Sequence, residues 1–129
     1  MQLLEKNNFT LSSLKVGFVL PAYNEHENIF ELLKQIDLVF NNKVILIIDD
    51  STNNKTKDKI YLKKDLQYFK RASKLGRGSA VLYGLKTLLK NKEINLFVEM
   101  DTDLVHNPNE LPNNIRNFLN NKLDLLIMS

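Results

Sequence analysis

The sequence predicts an α/β domain with a mostly parallel sheet of about five strands and helices on both faces. Two observations support this fold class. Short apolar runs of strand length alternate with segments whose apolar residues recur at helical spacing. The run 44–48 is apolar at every position, which is typical of a parallel strand covered on both sides. Right-handed crossovers would join such strands.

The length and composition fit one domain covering residues 1–129. Hydrophobic residues make up 43% of the chain and charged residues 26%, which is enough for a buried core. The absence of cysteine excludes disulfides and thiolate metal sites. No apolar run approaches the ~20 residues of a membrane span, and the N-terminus lacks the layout of a signal peptide. We therefore expect a cytoplasmic protein, with a short irregular lead-in over 1–13.

The first strand is predicted at 16–20, where Pro21 is expected to stop it because proline cannot donate to a ladder. The helix that follows has apolar residues at helical spacing over 29–40. Residues that favour a helix start precede it, namely Asn24 as N-cap and the acidic Glu25 and Glu27 near the positive end of the helix.

The second strand is predicted at 44–48, and a polar run from Asp49 to Thr52 follows it. The next segment, 55–64, predicts a weak, Lys-rich helix. Residues 66–69 then predict a short third strand, because they are aromatic and apolar apart from one glutamine.

A loop is predicted over 74–79. The third helix follows it and is expected to begin at Ser79 or a neighbouring residue. The apolar positions of this helix are 81, 82, 85, 88 and 89. The fourth strand is predicted at 95–101, a further helix from Asn107 onward, and the last strand at 123–128. This last strand is apolar on both sides, and an apolar edge is prone to association. We therefore expect either a partner that covers it or a chain that is cut short.

Two carboxylates one residue apart, Asp101 and Asp103, end the fourth strand. In an extended backbone they point to one side and lie roughly 6–7 Å apart. Like charges so close repel, and a divalent cation such as Mg²⁺ or Mn²⁺ would relieve that repulsion. The alternative is an Asp-rich turn, because aspartate also starts turns.

Three polar clusters follow the first, second and fourth strands, at 21–25, 49–52 and 101–103. Because ligands of parallel sheets bind beyond the carboxyl ends of the strands, these clusters would share one rim. Three polar loops on one rim favour a ligand and metal site over unrelated turns.

The segment from Lys55 to Arg77 is basic. It holds nine Lys or Arg against two Asp, a local charge of +7 in a chain of net charge +3. Such a surface could meet an anionic membrane, a nucleic acid or a phosphorylated substrate, and the alternative is a solvated helix surface. Basic and aromatic residues do not alternate in the manner of RNA-binding proteins, and we expect no nucleic-acid partner.

Three known patterns of α/β domains do not fit this chain. A dinucleotide fingerprint needs glycines directly after the first strand, where this chain has the run 21–25 without glycine. No Gly-Lys-Ser/Thr loop of the Walker type is present. A receiver-type phosphoacceptor domain would carry its acidic pair after the first strand, whereas here the pair Asp49–Asp50 follows the second.

Taken together, these segments resemble the family 2 glycosyltransferases of GT-A fold, and most closely the dolichol- or polyprenol-phosphate mannosyltransferases. The resemblance spans about residues 15–129 and implies a Rossmann-like, nucleotide-sugar-binding half. It rests on four segments in this order: Val-Leu-Pro-Ala-Tyr-Asn-Glu at 19–25, Ile-Asp-Asp-Ser-Thr at 48–52, Leu-Gly-Arg-Gly-Ser-Ala at 75–80 with Gly-Leu-Lys at 84–86, and Glu-Met-Asp-Thr-Asp at 99–103 with His106 and Pro108.

The resemblance implies that the first two segments bind the nucleoside of the donor. Pro21, Tyr23 and Glu25 would line its pocket. Asp50, with Asp49, would hold the base or the ribose. The alternative for Tyr23 is that it only packs against its neighbours.

The last two segments would bind the diphosphate and a divalent metal, Mg²⁺ or Mn²⁺. Lys74 and Arg77 would lie near the nucleotide. The alternative is that both are solvated surface side chains. Asp101 and Asp103, with Thr102 between them, would form the DXD motif of the family. Asp103 would be the more direct metal ligand, and the metal would assist departure of the nucleotide.

The function implied is transfer of a hexose, above all mannose, from GDP-mannose or a UDP-hexose to a polyprenyl or dolichyl phosphate. Such an enzyme would work in the cytoplasm or at the cytoplasmic face of a membrane. Family members continue with an acceptor-binding half, so we expect this chain to be truncated at its C-terminus, and its other catalytic residues are unknown. The alternative is a non-catalytic nucleotide-sugar-binding fragment that is inactive alone.

Overall fold

The structure, a computed structural model, describes residues 3–4, 9–10, 14–24, 27–60, 65–72, 75–102, 110, 113 and 126–128. The strands in this part of the chain are β1 (Leu3–Leu4), β2 (Phe9–Thr10), β3 (Val16–Ala22), β4 (Lys43–Asp49), β5 (Leu66–Lys70), β6 (Leu96–Met100) and β7 (Leu126–Met128). The helices are α1 (Ile29–Val39), α2 (Lys55–Lys59) and α3 (Arg77–Leu88). Among these described helices, none is long and apolar enough to cross a bilayer.

Five strands form one sheet in the order β5-β4-β3-β6-β7, and each neighbouring pair is parallel. This confirms the predicted α/β fold with a parallel sheet. The chain builds outward from β3 in one direction and then crosses back to add β6 and β7 on the other side. The strand order therefore reverses between β3 and β6, where open α/β sheets bind their ligands.

Helices cover both faces of the sheet, as predicted. α1 buries its apolar stripe on one face, where it packs in a single cluster with alternate residues of β3, β4 and β6. α3 packs on the other face, in a second cluster with the remaining alternate residues of β3 and β4. Alternation along β3 explains the division, since Phe18 and Leu20 belong to the first cluster and Val19 to the second.

Two predictions around β3 were wrong. Pro21 does not stop the strand but lies within it, paired in register with Ile48. The ladder to β6 ends at Val19, so proline stands where only one neighbouring strand remains. The N-cap of α1 is Asn28 rather than Asn24. Asn24 instead adopts a left-handed backbone with φ 54°, a conformation that asparagine tolerates better than most residues.

The third helix also differs from its prediction. It begins at Arg77, two residues earlier than Ser79, with Gly76 as N-cap. Two leucines predicted on its apolar face, Leu82 and Leu89, are 54% and 58% exposed. The residues that it buries are Ala80, Gly84 and Leu88. The spacing rule counted large apolar side chains and so found Leu88, whereas it missed the two small residues, Ala80 and Gly84, through which the helix also packs on the sheet.

The structure departs from the predicted irregular lead-in at four residues, because β1 and β2 pair as an antiparallel two-stranded sheet. Other predictions lie outside the described residues. They include most of the second half of the Lys-rich helix at 55–64, nearly all of the helix from Asn107 onward, and the first part of the last strand.

Gly84 is expected to be essential to the packing of α3, and Gly84→Ala to destabilise the fold. An added Cβ would lie 2.4 Å from Cγ1 of Val19, a buried side chain of a central strand. Overpacking of this kind costs about 1–3 kcal/mol, which exceeds the ~1 kcal/mol that alanine gains over glycine in a helix. Urea unfolding measures the loss. Gly78→Ala is the control, since its Cβ would meet nothing within 4 Å and its stability should match or exceed the wild type.

Candidate functional site

The loops that follow β3 and β4 are joined by hydrogen bonds at the carboxyl edge of the sheet. The Asp50 amide donates to the Ala22 carbonyl at 2.9 Å. The Asn24 amide donates to Oγ of Ser51 at 2.8 Å, and Oδ1 of Asn24 accepts from the Thr52 amide at 3.3 Å. The left-handed turn at Asn24 directs both its backbone amide and its side-chain oxygen to the loop after β4. Two of the three predicted polar clusters therefore share one rim.

Asp50 forms a buried, two-pronged ion pair with Arg71. Nε and Nη2 of the arginine donate to the two carboxylate oxygens, each at 2.5 Å, and both side chains are 6% exposed. Hydrogen bonds from Arg71 hold the pKa of Asp50 below its usual value, against the opposing effect of burial. Arg71 also donates to Ser79 Oγ at 2.8 Å and to the Gly76 carbonyl at 3.2 Å, so it ties the end of β5 to the start of α3.

Asp49 is fully buried and also accepts internal hydrogen bonds. Its Oδ1 accepts from the Ser51 amide at 2.9 Å, and its Oδ2 accepts from the Tyr68 hydroxyl. Burial, and then the nearby carboxylate, raises the pKa of Tyr68 above its ordinary value. Both predicted nucleoside ligands, Asp49 and Asp50, are thus buried, and their carboxylates hold the rim together through internal hydrogen bonds. Their contact with a donor stays a prediction.

Tyr68→Phe is expected to destabilise the protein by about 1–3 kcal/mol, because it removes a donor from the buried Asp49 carboxylate. The raised pKa of Tyr68 makes this contribution complete below pH 10 and lost as the pH rises through the folded-state pKa. The stability difference between wild type and variant should therefore shrink above pH 10. Urea titrations across that range measure it. Tyr83→Phe, at a 39% exposed tyrosine, is the control and should change the stability little.

Arg77 joins the start of α3 to the end of β6. Its Nε donates to Oδ1 of Asp101 at 2.6 Å, and its Nη2 donates to Glu99. The side chain of Glu99 is 3% exposed, that of Asp101 28% and that of Arg77 45%. Burial raises the pKa of Glu99, and the positive charge of Arg77 opposes that shift. The predicted residues Arg77 and Asp101 therefore meet beside the point where the strand order reverses.

The donor chemistry at the end of β6 fits Mg²⁺ or Mn²⁺. Asp101 offers a partly exposed carboxylate, and hard divalent cations bind one or two carboxylates together with phosphate oxygens and water. Thr102 is 2% exposed, and its hydroxyl has no partner among the described contacts. Within the described ranges, no three acidic or histidine side chains come together as a metal site. Asp103, the second predicted ligand, lies outside those ranges.

The other predicted site residues are placed as follows. Pro21 is half-buried at the end of β3, and Tyr23, 39% exposed, stands just beyond it on the rim. Glu25 and Lys74 lie outside the described residues, so the structure says nothing about them.

Sequence reasoning missed four residues that organise the rim. Arg71 and Tyr68 are held by the two buried aspartates, and Lys70 donates from Nζ to the carbonyls of Ser51 and Asn53 at 2.9 and 2.6 Å. Nothing in the local pattern distinguishes these three from other residues of a basic, aromatic segment. Glu99 did carry a signal, since it is a charged residue inside an otherwise apolar strand.

Residues 18–129 match the family described as glycosyl transferase family 2. A dolichol-phosphate mannosyltransferase of Pyrococcus furiosus is 34% identical over 104 residues, which cover 77% of this chain and 28% of that protein. An uncharacterized protein of Methanocaldococcus jannaschii is 26% identical over 132 residues, which cover 100% of this chain and 53% of that protein. The chain spans about half or less of the length of these relatives.

The family match runs from the third residue of β3 to the end of the chain and so includes nearly all of the parallel sheet. The observed strand order is consistent with the Rossmann-like core that the resemblance implied. Both findings confirm the resemblance drawn from the four sequence segments. The chain belongs to glycosyl transferase family 2.

Proposed function

We propose that the rim at the carboxyl ends of β3, β4 and β6 binds a nucleoside diphosphate sugar with Mg²⁺ or Mn²⁺, for transfer of a hexose to a polyprenyl phosphate. The observation that carries this proposal is the contact of Asp101 with Arg77 beside the switch point of the sheet. The name of the Pyrococcus relative supports mannose as the sugar and dolichol phosphate as the type of acceptor. GDP-mannose is the favoured donor, and a UDP-hexose the alternative.

Arg77 is the side chain best placed to meet the diphosphate. A guanidinium has five N–H donors, and the described contacts use Nε and Nη2. The side chain is 45% exposed, so its remaining donors can face a ligand on the rim. Charge-assisted hydrogen bonds of this type bind phosphate oxygens in a fixed orientation.

The start of α3 adds backbone donors to the same place. Gly76 is the N-cap and makes no side-chain cap, so the first N–H groups of this 12-residue helix keep their capacity to bind an anion. The two glycines that flank Arg77 add no side chains that would obstruct a phosphate at this point. The helix end and the arginine would together orient the diphosphate toward β6.

Asp101 and Asp103 would hold the metal, which when bound neutralises charge on the departing diphosphate. In the transfer, the bond between the anomeric carbon and the diphosphate oxygen breaks and the nucleoside diphosphate leaves with the electron pair. An oxygen of the acceptor phosphate forms the new bond to the anomeric carbon. A phosphate monoester has a second pKa of about 6, so its oxygen is already anionic at neutral pH. The chain therefore needs no general base to activate the acceptor.

Incubation of the chain with GDP-mannose, Mn²⁺ and a short polyprenyl phosphate tests this proposal. We expect a mannosyl phosphopolyprenol by mass spectrometry, and none when EDTA replaces the metal. UDP-glucose in place of GDP-mannose tests the choice of donor. Donor binding without product would retain the rim as a donor site and reject transfer by this chain. Failure to bind either donor would reject the site itself.

A further inference from the structure

The side of α3 that is turned away from the sheet carries exposed leucines. Leu82 and Leu89 are 54% and 58% exposed. Seven residues are about two helical turns, so the two leucines lie on the same side, with Lys86 between them. We define the α3 outer face as Leu82 and Lys86 of the helix together with Leu89, its C-cap, and the next residue, Lys90. Since α3 packs on the sheet through its opposite side, these leucines contribute little to the core.

An aromatic pair extends this apolar surface toward the edge of the sheet. Phe69 of β5 stacks on Tyr83 of α3, with ring centroids 4.9 Å apart and an angle of 27° between the planes. The two rings are 43% and 39% exposed. Half-exposed aromatic rings next to leucines are typical of surfaces that meet an interface between water and an apolar phase.

The surface around the α3 outer face is basic. Between residues 66 and 92 the chain has seven Lys or Arg and no Asp or Glu. Three of the seven, Lys70, Arg71 and Arg77, are bound by carbonyl or carboxylate oxygens. Lys86 and Lys90 are exposed on the α3 outer face itself. Exposed leucines and lysines therefore occur together where no acidic residue of this segment compensates the charge.

We propose that the α3 outer face docks onto an anionic lipid bilayer. Leu82 and Leu89 would enter the headgroup region, while Lys86 and Lys90 contact lipid phosphates. The charge of the face is complementary to such a surface. A second copy fits less well, because a two-fold contact would bring like-charged lysines together. A peptide ligand would need a groove, whereas this face is the convex side of a helix.

This inference stands on the composition and exposure of α3 and does not depend on the proposed transferase activity. A chain that binds vesicles but no nucleotide would overturn only the proposed function. A chain that binds nucleotide but no vesicles would overturn only this inference.

Co-sedimentation with lipid vesicles tests the proposal. Anionic vesicles of phosphatidylcholine with phosphatidylglycerol are compared with neutral vesicles of phosphatidylcholine alone. We expect the chain to sediment with the anionic vesicles, and less so as salt is added. K86Q/L89S should lower the partition coefficient about tenfold or more, because it removes one lysine and one inserted leucine.

K34Q/L38S is the matched control on α1, on the other face of the sheet. It removes the same charge and the same kind of side chain, and Leu38 is 84% exposed. All four positions are exposed, so both variants should fold, which circular dichroism verifies. The proposal is overturned if anionic vesicles do not sediment the chain or if the two variants bind equally. It is also overturned if light scattering shows a dimer that K86Q/L89S dissociates, since the face would then be a contact between copies.

Discussion

Arg71→Met is expected to lower the free energy of unfolding by about 3–5 kcal/mol, the typical cost of leaving one partner of a buried ion pair uncompensated. The Asp50 carboxylate would lose two hydrogen bonds while remaining 6% exposed. The link from β5 to Ser79 and Gly76 would also be lost. Domains of this size have about 5–15 kcal/mol of stability, so the variant should lose a large share of it. Urea titration followed by circular dichroism measures the change.

The matched control is Lys86→Met, which removes an exposed cation and should change stability by no more than about 0.5 kcal/mol. Asp50→Asn combined with Arg71→Met should recover part of the loss, because no charge is then left buried. The lowered pKa of Asp50 means that the contribution of the ion pair is present above pH 3.8 and is lost as the pH falls through the folded-state pKa. The advantage of wild type over the double variant should shrink in acid. Equal stability of Arg71→Met and Lys86→Met would contradict this account.

Asp101→Asn is expected to weaken metal-dependent binding of GDP by about 100-fold or more. Loss of a residue that only supports a metal ligand costs about 10–100-fold, and the proposed role of Asp101 is direct. The substitution keeps the size of the side chain at a 28% exposed position, so the fold should be retained. Calorimetry with Mn²⁺ measures the affinity.

Glu93→Gln is the control for the loss of one negative charge. Glu93 precedes β6 at the opposite edge of the sheet, and its side chain is 78% exposed in an ion pair with Lys15. The affinity of the Glu93→Gln variant for GDP should equal that of the wild type. If Asp101→Asn binds as the control does, Asp101 is not a metal ligand.

The parallel sheet could be predicted because its signals are local. Each strand is a short apolar run, and the continuous run in β4 indicates cover on both faces. The shared rim followed from topology alone, since carboxyl ends of parallel strands meet at one edge. The pairing of Arg77 with Asp101 across 24 positions shows that the third helix starts at this rim.

The internal partners of the rim could not be predicted. Asp50 meets Arg71 only because β5 lies beside β4, and no spacing rule gives that register. Pro21 and the small residues of α3 show a related limit. Local rules treat proline as a breaker and glycine as a helix weakener, whereas here a one-sided strand end accommodates the proline and close packing requires the glycine. Tertiary contacts therefore decided what local propensity left open.

The rim of β3, β4 and β6 is proposed to bind a nucleoside diphosphate together with a divalent cation. Calorimetric titration of GDP and of UDP into the chain, once with Mn²⁺ and once with EDTA, tests this binding. We expect one nucleotide to bind with a stoichiometry of one in the presence of Mn²⁺ and to lose that affinity in EDTA. Binding that is equal with Mn²⁺ and EDTA, or no binding of either nucleotide, would contradict a metal-dependent nucleotide site at this rim.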